Sequence, residues 1–141
     1  MSIKIRETKN FKLISKLNDR IFPEDPLPLD FTDVCWVVYL GDLPVGFACL
    51  RHLKYEPSSV FFSRAGLQPS ARGFGIHKRL IGVRLSYCKR EGIRSVITYT
   101  LDTNLSSANN LAACGFKLYE PEHRWADSSS KKEVLYFYRE I

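Results

Sequence analysis

Between residues 67 and 85 the chain reads LQPSARGFGIHKRLIGVRL. Its chemistry lies in two glycines, an arginine and a lysine set where a β-branched and aromatic run gives way to helical spacing. Gly73 and Gly75 remove side chains from a turn whose successive peptide N–H groups are then exposed at the start of a helix. The helix dipole adds partial positive charge at that point, so the backbone becomes an anion cradle, most naturally for phosphate. Arg72 and Lys78 add full charges on either side, the arginine through a planar fork that matches phosphate oxygens. A tight turn without a ligand uses glycines in the same way, so the surrounding elements must decide between the two.

Spacing sets aside two familiar phosphate motifs. A dinucleotide fingerprint requires a third glycine where Lys78 stands, and a P-loop requires a Gly-Lys pair followed by Ser or Thr, which the chain lacks.

Residues 2–7 alternate apolar and charged side chains as a half-buried first strand does, and Phe11, Ile14, Leu17 and Ile21 then recur at helical spacing. That helix is expected to end near Pro23, ahead of a proline-rich acidic loop carrying Glu24, Asp25, Asp30 and Asp33. Residues 34–40 and 44–53 read as strands joined by the turn GDLP, and residues 58–67 as a third, giving an antiparallel meander. Ile76, Leu80, Val83, Tyr87 and Cys88 mark the apolar face of a helix stopped by Gly92, with Lys78, Arg79, Arg84, Lys89 and Arg90 mostly elsewhere. Residues 94–100 form the next strand. The unit from 59 to 100 is therefore strand, glycine turn, helix, strand, which implies a right-handed crossover and a parallel pair in a mixed sheet. A shorter helix over residues 104–114, stopped by Gly115, precedes FKLYEP and the terminal strand EVLYFYREI, which suits an internal strand or a dimer contact equally.

In this order of elements the sequence resembles the GNAT superfamily of acetyl-coenzyme A-dependent N-acetyltransferases. The family pattern of arginine or glutamine, two residues, glycine, one residue, then glycine or alanine is met by Arg72, Gly73, Phe74, Gly75, Ile76 and His77, departing only at the last position. Pro69 and the hydrophobic strand end at Leu67 also fit, and NLSSANNLAACGF, residues 104–116, matches a second family segment. The resemblance covers essentially the whole chain. It implies one α/β domain over residues 1–141, with a mixed, mostly antiparallel sheet flanked by helices on both faces. It also implies acetyl-CoA as cosubstrate, with no metal. By the same resemblance, the N–H groups of Arg72, Gly73, Phe74, Gly75, Ile76 and His77 hold the pyrophosphate, with Lys78 beside them. Ala65, Gly66 and Leu67 pair with the pantetheine amides, and the Leu67 N–H polarises the thioester carbonyl. Asn104 touches the pantetheine arm or orders the loop beside it. His77 brings bulk where the family has a small residue, which a backbone-mediated site tolerates if its N–H directions survive.

Amine acetylation needs a neutral nitrogen and a thiolate that can leave. A lysine-like amine of pKa near 10.4 lies about 3.4 units from neutrality at pH 7, roughly 4.6 kcal/mol, whereas an α-amine near 7.7 needs about 1 kcal/mol. The family often supplies a tyrosine as general acid in its second helix, but the matching residue here is Leu111. Tyr99, on the strand beside the expected cleft, and Tyr119, just past the Gly-Phe pair, are the substitutes by position. A coenzyme thiol, with a pKa near ~8.5, also leaves as thiolate when donors stand close. Glu24 and Asp25 lie in the region that covers the acceptor in this family, as bases or as attractors of a cationic amine. Trp36 and Trp125 are candidates to line an acceptor pocket, although VCWVVYL is an apolar setting that suits a core tryptophan.

With 141 residues, 45% of them hydrophobic, the chain can bury a core without disulfides or metal. The net charge of +6 favours anionic ligands, but the basic residues form no arm, base-reading helix or aromatic-basic stacking surface, so no nucleic-acid partner is expected. Cys35, Cys49, Cys88 and Cys114 never reach a CxxC spacing and read as buried free thiols. The start has no apolar signal region and no run approaches ~18 residues, so the expectation is a cytoplasmic protein without a membrane partner. The expected acceptor is a small-molecule amine or a protein N-terminus, and the expected assembly a monomer or homodimer. The absent tyrosine keeps open a non-catalytic acyl-CoA-binding or regulatory module.

Overall fold

The computed structural model describes residues 2–126 and 133–141. Their order is β1 (Ile3–Thr8), α1 (Phe11–Ile21), β2 (Asp33–Leu40), β3 (Leu43–His52), β4 (Ser59–Leu67), a 3-10 turn (Pro69–Ala71), α2 (Ile76–Arg90), β5 (Ser95–Leu101), α3 (Leu105–Ala113), β6 (Lys117–Tyr119) and β7 (Val134–Glu140). The strands form one seven-stranded sheet in the order β1-β2-β3-β4-β5-β7-β6. Every neighbouring pair is antiparallel except β4 and β5. The terminal strand β7 lies between β5 and β6, so both of its edges pair within the chain. No described helix is long and apolar enough to cross a membrane.

Alternation along the strands divides the core between two faces. Cys35, Val37, Phe47 and Cys49 point to one side, where the buried Ile14 and Leu17 of α1 cover them. Val38, Val45, Ala48 and Leu67 meet Ile76 and Leu80 of α2 on the other, and Trp36, Leu50, Val60 and Phe62 meet Ile81, Leu85 and Cys88. Leu111 of α3 and Phe116 complete that second face. Each such aliphatic or aromatic side chain contributes about 1.5–3 kcal/mol by leaving water. Trp36 is 4% exposed and edge-on to Tyr87, so it belongs to this core. All four cysteines are free; three are buried, whereas Cys114 is only half-buried.

Two irregularities in β4 open the sheet. Cys49 faces Arg64 while Leu50 faces Phe62, so Ser63 is an extra residue, a β-bulge that flips the alternation beyond it. The parallel pairing of β4 with β5 runs only through Ser59–Ser95, Val60–Val96 and Phe61–Ile97. At the next position Thr98 Oγ1 donates to Phe62 O (2.8 Å). Past that side-chain bond the ladder stops, and residues of β4 and β5 become walls of a cleft.

Candidate active site

The cleft's outer wall is the turn leading into α2. Ala71 N–H donates to Gln68 O (2.9 Å), Arg72 N–H donates to Pro69 O (3.2 Å), and the helical ladder begins only with Arg79 N–H to Gly75 O (3.3 Å). The N–H groups of residues 73–78 find no acceptor among the described residues. The unclaimed row thus starts at Gly73, one residue later than the sequence suggests, because Arg72 closes the 3-10 turn. Gly73 (φ 86°) and Gly75 (φ 72°, the N-cap of α2) sit in left-handed backbone, with no atom within 4 Å of an added Cβ. Conformation rather than crowding requires glycine at both positions. Arg72 turns its Nε back to Leu67 O (3.3 Å), while Phe74 and Lys78 are exposed.

From this turn the cleft runs inward between β4, α2, β5 and α3. Its outer part, about 730 Å³, is lined by Ile21, Phe22, Gly66, Leu67, Arg72 and Ile76 among others. Its inner part, about 250 Å³, is lined among others by Ser63, Arg64, Arg84, Thr98, Tyr99 and Leu111. Ala65, His77, Asn104, Ser106 and Asn110 line both parts and make them continuous. Among the described residues no Asp or Glu contributes to either wall.

The strand wall offers backbone donors. Gln68 N–H donates to Val45 O (2.8 Å), on the β3 side of the chain. Neighbouring N–H groups of an extended strand point in opposite directions, so those of Leu67 and Ala65 face the side from which β5 has diverged. Asn104 is the N-cap of α3, its Oδ1 accepting from Ser107 N–H (3.1 Å), so it orders the loop at the cleft wall.

The other residues expected from the sequence are not all brought here. Tyr99 lines the inner cleft and stacks on Phe61 at 5.9 Å and 17°. Tyr119 lies outside the cleft on β6, its ring edge-on to Tyr136 and Tyr138. Glu24 is exposed and lines neither part. Asp25 pairs with Arg64 (2.8 Å), whose Nη1 also donates to Asp25 O and Asn18 Oδ1. Its carboxylate therefore serves to hold an arginine of the cleft wall. Trp125 is 40% exposed and packs edge-on against Phe61 and Tyr99. Among the wall residues that the sequence does not single out are the bulged Ser63, the ion-paired Arg64 and the buried Arg84. A signal for Arg84 was present, since Ile76, Leu80, Arg84 and Cys88 recur every four residues and share one helical stripe.

Burial first, then the charges of Arg84 and Arg72, lower the pKa of His77 below its usual 6.5. The folded protein therefore resists a proton that the unfolded chain accepts, and stability is lost as pH falls below about 6.5. Thermal denaturation from pH 8 to pH 5 is expected to show a falling midpoint, and His77→Gln is expected to flatten that fall. An unchanged slope in the variant would assign the loss to other groups.

No curated protein sequence is significantly similar to the chain. Among solved structures, the ribosomal-protein-S18-alanine N-acetyltransferase of Escherichia coli superposes with a TM-score of 0.81 at 9% identity, over 99% of this chain and 94% of that one. An IAA acetyltransferase from Bacillus cereus gives 0.77 at 14% identity, over 99% and 100% of the two chains. A Bacillus subtilis acetyltransferase in complex with CoA gives 0.72 at 18% identity, over 99% and 97%. At such identities the likeness is one of fold. The sequence profile of the Acetyltransferase (GNAT) family, however, matches residues 6–116, most of the chain, and with it the protein belongs to the GNAT acetyltransferases.

Proposed function

We propose that the protein transfers an acetyl group from acetyl-CoA to a primary amine by direct attack of the amine on the thioester. One observation carries this reading: an unclaimed row of N–H groups at the start of α2 opens on the same cleft as the strand edge that β5 has left. The row of residues 73–78 suits the pyrophosphate, flanked by Arg72 and Lys78. The N–H groups of Ala65 and Leu67 suit the pantetheine amides, and the thioester carbonyl, further in toward Ser63, then lies out of reach of the Leu67 N–H that the family resemblance named for it. The Bacillus subtilis neighbour is a complex with CoA, in keeping with such a ligand. The amine enters from the face opposite α2, where Phe61, Tyr99 and Trp125 form an aromatic patch beside the gap. Among the described residues no carboxylate lines the cleft, so the amine's proton passes to water, which an α-amine tolerates better than a lysine side chain. A protein N-terminus or a weakly basic small-molecule amine is the matching acceptor, and the Escherichia coli neighbour acts on a ribosomal protein's alanine.

A second reading, a non-catalytic acyl-CoA-binding module, is favoured by Leu111, a buried apolar side chain on the cleft wall where a proton donor would serve. Isothermal titration with acetyl-CoA tests both readings, which require micromolar-range binding. Thiol release over a panel of amino acids, short peptides and small amines separates them. Binding with no release from any amine would leave only the module, and no binding would remove both.

A further inference from the structure

Helix α2 buries a cation that the reading above leaves unused. Of the two charged side chains buried among the described residues, Asp33 pairs with Arg51 at 2.9 Å, while Arg84, 5% exposed, has no carboxylate in ion-pair range. Arg84 Nε donates to Leu80 O in its own helix (3.1 Å), and Nη1 donates to Cys49 O (3.2 Å), beside the β4 bulge. The guanidinium lies 4.3 Å over the Phe62 ring. Nη2 donates to no protein atom, and the side chain forms part of the inner cleft wall. Beside it in the same wall is Ser63, whose Oγ is a buried side-chain oxygen without a hydrogen-bond partner. Two polar groups with unused capacity therefore line the same inner part of the cleft.

A buried cation held only by carbonyls and a ring is costly unless an anion arrives to face it. Desolvation lowers the Arg84 pKa to about 10, so the group is still charged at neutral pH. The titratable groups around it are His77 and Cys88 on α2, Cys49 on β3, Arg64 on β4 and Tyr99 on β5. The part of α3 that lines the inner cleft offers only hydroxyls, an amide and Leu111. Among the described residues no neighbour supplies a negative charge at neutral pH, which leaves the place for an anion to a ligand.

Its place along the helix says which part of the ligand. Arg84 stands eight residues after Ile76, the first residue of α2, which is about 12 Å along the axis at 1.5 Å per residue. An extended pantetheine arm, made of peptide-sized units of roughly 3.5 Å or more each, spans such a distance. With the pyrophosphate on residues 73–78, the sulfur end reaches Arg84. Resting on the transferase reading, we propose that Arg84 stabilises the coenzyme thiolate as it leaves, replacing by charge the proton donor that Leu111 cannot be. The amine lone pair forms the new C–N bond, the C–S bond pair departs on sulfur, and the amine's proton goes to solvent. The sulfur leaves as an anion beside the guanidinium and takes no proton from the protein. Ser63 Oγ is placed to donate to the same sulfur or to the thioester oxygen.

The test uses CoA itself and needs no acceptor. Calorimetry first establishes that CoA binds, and thiolate absorbance in the ultraviolet is then followed against pH in the saturated complex. The bound thiol is expected to titrate at least about one unit below the ~8.5 of an ordinary thiol. Arg84→Gln keeps an amide donor for Cys49 O but removes the charge. It is expected to return the bound thiol to within a few tenths of a unit of free CoA, with CoA affinity changed less than about threefold. Arg84→Lys is expected to retain most of the shift. A wild-type thiol titrating at or above the free value overturns the proposal even if the variants do not fold, and so does a shift that survives Arg84→Gln. Absence of CoA binding sinks the transferase reading and this proposal together, whereas binding with an unshifted thiol sinks this proposal alone.

Discussion

Gly75→Glu is expected to weaken acetyl-CoA binding at least 100-fold in isothermal titration while leaving a folded protein. The substitution sets a carboxylate at the N-terminus of α2, beside the N–H groups of residues 73–78 that are proposed to take the pyrophosphate. Like charges brought together in this way cost several kcal/mol, and about 2.7 kcal/mol already amounts to 100-fold. Part of the damage is conformational, because Gly75 has φ 72° and a side chain there costs roughly 1–2 kcal/mol of stability. Gly41→Ala isolates that part. Gly41 occupies left-handed backbone (φ 59°) in the β2–β3 turn, outside both parts of the cleft and with open space around an added Cβ. The control should lower the thermal midpoint much as Gly75→Ala does and leave CoA affinity unchanged. Equal binding by wild type and Gly75→Glu would remove the cradle assignment.

The cradle could be anticipated from sequence because its cause is local. Two glycines before a helical stripe fix both the left-handed backbone and the helix start, whatever the rest of the chain does. The parallel pairing of β4 with β5 was accessible for a similar reason, since a glycine turn and helix between two strands permits one crossover hand, whereas the insertion of β7 between β5 and β6 was not. What sequence did not give depends on contacts across the sheet. The bulge at Ser63 is visible only against Cys49 and Leu50 of β3, and it redirects Arg64 toward Asn18 and Asp25. Asp25 therefore looked like a free base in a loop, while in the fold its carboxylate meets an arginine 39 residues away along the chain. Tyr119 lies close in sequence to the Gly-Phe pair, yet β6 is the outermost strand of the sheet, far in strand order from β4. For Arg84 the sequence carries opposed signals, a charge that points outward and a spacing that points inward. Its position on the stripe of Ile76 and Leu80 placed it inward, and the carbonyl of Cys49 and the ring of Phe62 made that placement tolerable.

Gly66→Val tests the opposite cleft wall, and here space rather than conformation is the constraint. Gly66 lies in β4 opposite Phe47, in extended backbone that any residue adopts. A Cβ at this position would stand 2.6 Å from Phe22 Cε2 and 2.9 Å from Ile21 Cγ2, both at the end of α1 and both lining the outer cleft. The Phe22 ring has little freedom to yield, being edge-on to Phe47 at 6.4 Å and covered by the Arg64 guanidinium at 5.4 Å. Overpacking of this kind typically costs 1–3 kcal/mol. Gly66→Val should therefore lower the unfolding free energy by that amount, read as a lower urea midpoint at unchanged m-value, and weaken CoA binding about tenfold as the Ile21–Phe22 wall shifts. Phe22→Leu trims the obstructing ring. In that background the same valine should cost at least ~1 kcal/mol less, a coupling expected only of residues in contact. Additive effects of the two substitutions would mean that Phe22 does not bear on Gly66, and that the end of α1 is free to move without closing the cleft.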